Sequence, residues 1–151
     1  MMNYEPLYVA FLVYFNRDQD YFECHEVLEE LWLKKDRDPR YKGLLQVAVG
    51  LYHFRNGNIR GGYKMLSSAA ERLKPYAEDE LGIRLGKLVG QVQDYAGRLA
   101  NYEAHPFPYA DLTIEIWDPK LRRAVEQAGA EIKPNIPQRR KPTRGKNNET
   151  K

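Results

Sequence analysis

Residues 15–35 read FNRDQDYFECHEVLEELWLKK, and this stretch decides the class of fold. Acidic side chains crowd its start and Lys34 and Lys35 close it, the polarity that a helix dipole favours. On a wheel at about 100° per residue, Cys24, Val27, Leu28, Leu31 and Trp32 form one apolar arc. The period is helical, and Asn16 or Asp18 is the expected N-cap of a helix over about 18–35. His25 falls at the border of the arc beside Trp32, Glu29 one step further out, and Glu26 on the rim. His25 and Glu29 are one turn apart, so their side chains project together.

The flanking segments continue the helical reading. Asp38-Pro39 pairs an N-cap with proline at the first helical position and starts a third helix that runs to about Asn56. That helix is apolar almost all round (Leu44, Leu45, Val47, Ala48, Val49, Leu51, Tyr52, Phe54), as a central, buried helix is. Gly57-Asn58 ends it and caps a fourth, over about 59–74 before Pro75. Upstream, a first helix covers about 5–15. Downstream, Leu81, Leu85, Leu88, Val92, Tyr95, Leu99 and Tyr102 keep a three-or-four spacing that predicts a fifth helix over about 79–103. His105-Pro106-Phe107-Pro108-Tyr109 reads as an extended connector. Leu112 to Trp117 alternate like a strand without an evident partner, and are expected to form an extended arm packed on the bundle. Asp118-Pro119 opens a last short helix to about Ala130. The class is all-α, a compact multi-helix bundle with antiparallel hairpins. Its expected division is a bundle over 1–104, an arm with a short helix over 105–132, and a tail over 133–151.

Composition narrows the function. The chain has 151 residues, 42% apolar and 30% charged, which suits a soluble globular protein. The apolar run Leu7–Phe15 is too short to span a bilayer and lacks a basic preceding region, so no membrane segment is expected. The lone cysteine, Cys24, forbids an internal disulfide and fits a reducing, cytoplasmic setting. It reads as a small buried residue, because its neighbour His25 points about 100° away and is poorly placed as its base. Residues 1–132 carry a net charge of −3 and residues 133–151 one of +6, so the excess of base belongs to the tail. That tail has three prolines and no aromatic residue, and it reads as disordered and solvated. Nucleic-acid binding is not expected of it, since no aromatic side chain is there for stacking. Eleven tyrosines against five phenylalanines imply ring packing whose hydroxyls reach polar partners. Tyrosine-rich surface also leaves a homodimer open.

Five polar residues form the candidate site. Gln46 and His53 share one stripe of the third helix, with Gly43, Gly50 and Gly57 repeating beside it. Counting from the short loop at 36–38 puts Gln46 level with Glu29, His53 level with Phe22 and Glu23, and Gly50 level with His25 and Glu26. Gly50 is therefore expected to leave room for the imidazole, and helix two to supply partners for Gln46 and His53. His25, Glu26, Glu29, Gln46 and His53, with Trp32 and Gly50 in support, are the candidate ligand- or metal-binding set. A divalent metal (Zn, Mn or Fe) fits such donors. A hydrolytic role would make Glu29 or Glu26 a general base and His25 a ligand or acid. The zinc-protease motif is not met, because its second histidine is missing. The same residues also fit a hydrogen-bond network that fixes helix register. Gly50-Leu51-Tyr52, Gly57-Asn58, Gly61-Gly62-Tyr63, Ala69-Ala70 and Leu73 look like half of a tetratricopeptide-type repeat, with no second copy in the chain. The alternative reading is thus a non-enzymatic helical scaffold for protein partners.

Residues 15 to about 74 resemble the domain of unknown function 309 family of small bacterial, archaeal and plastid proteins. Phe15-Asn16, Tyr21-Phe22-Glu23, His25-Glu26, Leu28-Glu29, Trp32, Gly43-Leu44, Gln46, Ala48, His53, Gly57-Asn58 and Gly61 carry the resemblance. Gly62 departs from it, standing where the family usually has alanine. The resemblance implies a helical bundle and places His25, Glu26, Glu29, Gln46 and His53 at the signature's polar positions. It implies no reaction, and it does not reach the arm or the tail.

Overall fold

The computed structural model describes residues 4–133; the expected tail, apart from Lys133, lies outside them. Among the described residues six α-helices follow one another: α1 (Pro6–Val13), α2 (Tyr21–Lys34), α3 (Pro39–Arg55), α4 (Ile59–Leu73), α5 (Leu85–Ala100) and α6 (Pro119–Glu131). The caps at Asp38, Asn58 and Asp118 are those the sequence announces, each side chain accepting a backbone N–H of its first turn. Gly57 ends α3 at φ +86°, a conformation glycine adopts without a Cβ clash.

The start of α2 corrects the expectation. It opens at Tyr21, and its N-cap is Asp20, which accepts from the Glu23 amide. Residues Tyr14–Asp18 instead extend α1 as one π-helical turn, and Gln19 then reverses the chain at φ +49°. Asn16 and Asp18 are thereby released from capping. Both amide atoms of Asn16 pair with the backbone of Ile114, 98 residues away, donating to its carbonyl at 2.9 Å and accepting its N–H at 2.9 Å. Arg17 bridges Asp18 to the carbonyls of Gly129 and Ile132 at the end of α6.

The fifth helix is also shorter than its apolar spacing implies. Leu81 and Gly82 take left-handed backbone angles within a 3-10 turn, Glu80–Gly82, and α5 begins only at Leu85. Pairing with the arm outweighs local helical periodicity here. The Arg84 amide donates to the Glu115 carbonyl, the Trp117 amide to that of Gly82, and Ile83 bridges Ile116 in antiparallel fashion. This short segment is the partner that the alternating residues lacked, and Ile114 of the arm is buried in the core.

The core runs between all the helices. Tyr8, Phe11, Leu12 and Phe15 of the first segment meet Tyr21, Cys24, Leu28 and Leu31 of α2, and Leu44, Val47, Ala48 and Leu51 of α3. Helix α3 packs on both α2 and α4, α4 on α5, and α6 returns onto α1. Around Phe54 the rings of Tyr95, Tyr102, Phe107 and Tyr109 lie with centroids 5.2–5.8 Å away, at separations where edge and tilted contacts are favourable. Several tyrosine hydroxyls find polar partners, whereas that of Tyr52 is buried without one among the described residues. Tyr8 donates to the Leu81 carbonyl, and Tyr95 both donates to the Ala110 carbonyl and accepts its N–H.

Candidate functional site

Helix α2 presents its polar border as its period dictates. His25 Nε2 lies 3.3 Å from a Glu29 carboxylate oxygen and Nδ1 lies 3.6 Å from one of Glu26. The imidazole keeps 23% of its side-chain surface exposed and each carboxylate 49%, so this trio lies open to water rather than in a sealed pocket. The Nε2–Glu29 separation matches the edge of a tetrahedral coordination sphere, about 3.3 Å for donors some 2.0 Å from an ion. Glu26 faces the other ring nitrogen, so one ion cannot use both pairs. Among the described residues, no three His, Cys, Asp or Glu side chains are grouped to hold a metal ion.

Gln46 and His53 are occupied elsewhere. The Gln46 side chain is buried and points to α4, its Nε2 donating to Ser68 Oγ at 3.0 Å and its Oε1 accepting from Arg72 Nε at 3.1 Å. His53 Nδ1 lies 3.3 Å from Asn58 Nδ2 at the α3–α4 turn, and burial lowers its pKa below the ordinary histidine value. Gly43 and Gly50 face α4 as well. A Cβ on Gly50 would meet the Leu66 side chain at 2.7 Å and one on Gly43 the Leu73 side chain at 2.5 Å. The space at Gly50 is therefore filled by α4, not kept for the His25 imidazole, which corrects that expectation. A helix apolar on all sides gives the wheel no direction, and α3 turns its glycines and its glutamine toward α4 rather than α2. Trp32 does reach across the α2–α3 gap, with the Lys42 ammonium 4.6 Å and the Arg37 guanidinium 5.0 Å from its ring.

Cys24 is fully buried, its thiol 3.7 Å from the Phe11 carbonyl, and desolvation raises its pKa well above the usual thiol value. That environment opposes thiolate formation and fits a packing residue.

Sequence reasoning missed a polar cluster where α2 meets the arm. Tyr109 and Tyr21 both donate to one Asp111 oxygen, at 2.6 and 2.9 Å, with their own hydroxyls 3.0 Å apart. Burial first, and the Asp111 carboxylate with it, push both phenols far above the ordinary tyrosine range. The Arg55 guanidinium lies 4.6 Å from the Tyr21 ring and donates to the Gln19 carbonyl. Tyr21 and Asn16 thus belong to a clamp on the arm. The only sequence signal for it was two polar residues on an otherwise apolar approach.

An all-α bundle whose third and fourth helices form a hairpin pinned by polar side chains is the class this fold defines. Residues 8–65 match the family described as Domain of unknown function (DUF309). The chain is 33% identical over 126 residues to the uncharacterized protein YpuF of Bacillus subtilis (strain 168), covering 80% of this chain and 70% of that one. It is 30% identical over 81 residues to an uncharacterized protein of Aquifex aeolicus (strain VF5), covering 52% of this chain but 24% of the relative. The chain belongs to the DUF309 family. No solved structure matches it. No helix among the described residues is long and apolar enough to cross a membrane.

Proposed function

We propose that this protein is a non-enzymatic helical scaffold that presents the α3–α4 hairpin to a protein partner. In this reading Gln46 and His53 serve the register of that hairpin. The observation that supports it is the double engagement of the Gln46 amide by Ser68 and Arg72, which occupies both ends of the one buried glutamine of the candidate set. A side chain so held fixes α4 against α3, and it is not free to bind a substrate without leaving two groups unpaired. Tyr63 stands on the outer side of α4 with 40% of its surface exposed, among the flanking cations Arg60 and Lys64. Exposed tyrosine beside base is a contact chemistry that suits an acidic, partly apolar partner surface.

The test is affinity capture with the full chain and two sets of variants. Tyr63→Glu with Arg60→Glu should abolish capture of a specific partner, while His25→Ala with Glu29→Ala should leave it intact. Capture that survives the first pair and disappears with the second would overturn the scaffold reading.

A second reading keeps a divalent metal at His25 and Glu29, with Glu26 nearby. The 3.3 Å separation of Nε2 and the carboxylate oxygen favours it, and the two donors would need others from outside the described set. Hydrolysis would belong to this reading alone: His25 and Glu29 would hold the ion, the ion would supply Lewis-acid activation, and Glu26 would stand near enough to take a proton.

A further inference from the structure

We infer that the outer face of α5 is a self-complementary contact surface for a second copy of this chain. A cleft of about 580 Å³ lies between α5 and the start of the arm, lined by Gln93, Asp94, Gly97, Arg98, His105 and Phe107 among others. Asp94 and Arg98 are exposed and one helical turn apart, the spacing at which opposite charges on a helix ordinarily pair. They form no ion pair with each other or with any other described residue. The Arg98 guanidinium instead lies on the Phe107 ring, 3.9 Å from its centroid, which holds it away from Asp94 and leaves its N–H fork free. One surface therefore carries an open cation and an open anion at a fixed separation.

A two-fold axis running beside the exposed face of α5, perpendicular to the helix and level with residue 96 along it, relates these charges, since 94 and 98 are equidistant from that level. Two copies packed antiparallel along α5 then set each Arg98 against the second copy's Asp94. Such a contact is isologous and closes at two copies. Charge-assisted pairing of guanidinium and carboxylate supplies orientation as well as attraction. Gly97 at the cleft floor fits this arrangement. Apart from its chain neighbours and its own helix backbone, no heavy atom of the described residues lies within 4 Å of where its Cβ would stand, so nothing among them requires glycine there. Mid-helix glycine is less favourable than alanine by about 1 kcal/mol, and close approach of another backbone accounts for it.

Sedimentation equilibrium of the full chain, from micromolar to submillimolar concentration, tests it. A reversible monomer–dimer equilibrium is expected. Arg98→Asp and Asp94→Arg should each weaken the dimer by about tenfold or more, and the two together should restore it, because the reversed charges again meet across the axis. Gly97→Leu should abolish the dimer while leaving the melting temperature of the monomer unchanged or higher. A chain that stays monomeric throughout overturns the inference. So does a dimer that tolerates Gly97→Leu or is not restored by the double reversal.

Discussion

Replacing Asn16 with alanine isolates the clamp between the first segment and the arm. The native amide makes two bonds of 2.9 Å to the N–H and carbonyl of Ile114, a residue only 2% exposed. Alanine would leave both backbone groups without a partner in a place that water reaches poorly. Each such group is destabilising by about 1–3 kcal/mol, and taking the lower half of that range for a partly buried pair gives about 2–4 kcal/mol in all. Domains of this size have total stabilities of about 5–15 kcal/mol, so the loss is a large fraction. Tyr95→Phe is the internal control. It removes two bonds to Ala110, but Ala110 is exposed and water can replace the hydroxyl, so about 0.5–1 kcal/mol is expected. Urea denaturation gives the two free energies, and hydrogen exchange at the Ile114 amide reports whether the arm opens locally. Equal losses for the two variants, or unchanged protection at Ile114 in Asn16→Ala, would refute the argument that backbone burial sets the size of the effect.

Other consequences follow from the same packing. Gly50→Ala should destabilise by about 1–3 kcal/mol in chemical denaturation, because its Cβ would lie 2.7 Å from Leu66 and 3.2 Å from the Leu66 amide nitrogen, and α4 would have to move. Cys24 should react with a thiol reagent only as fast as the protein unfolds; rapid labelling of the native protein would contradict its burial. Burial lowers the pKa of His53, so the unfolded chain takes up its proton at a higher pH than the folded one. The corresponding stability is present above the unfolded value of about 6.5 and declines as pH falls through the lowered folded value. His53→Gln should flatten that part of the stability profile, and an unchanged slope would remove His53 as its source.

What the sequence made legible was local. Asp38-Pro39, Gly57-Asn58 and Asp118-Pro119 place three helix starts correctly because capping involves residues within one turn. The His25–Glu29 pair was legible for the same reason, being four residues apart on one face. What it concealed depends on distant segments. Asn16 looks like a cap until Ile114 arrives beside it, and Leu81 looks helical until Gly82 and Arg84 pair with the arm. The orientation of α3 was hidden by its own composition. Apolar residues on every side leave no moment to indicate whether Gly43, Gly50 and Gln46 face α2 or α4, and the bulk of Leu66 and Leu73 settles it.

On the scaffold reading proposed above, Gln46 and His53 serve the α3–α4 hairpin and the His25–Glu29 pair of α2 holds no metal. Elemental analysis of the untagged, purified chain tests it most directly, beside a His25→Ala, Glu29→Ala double variant whose folding is verified by circular dichroism. No near-stoichiometric transition metal is expected in either protein. Near-stoichiometric metal in the wild type, absent from a folded double variant, would contradict it and establish a metal site on α2.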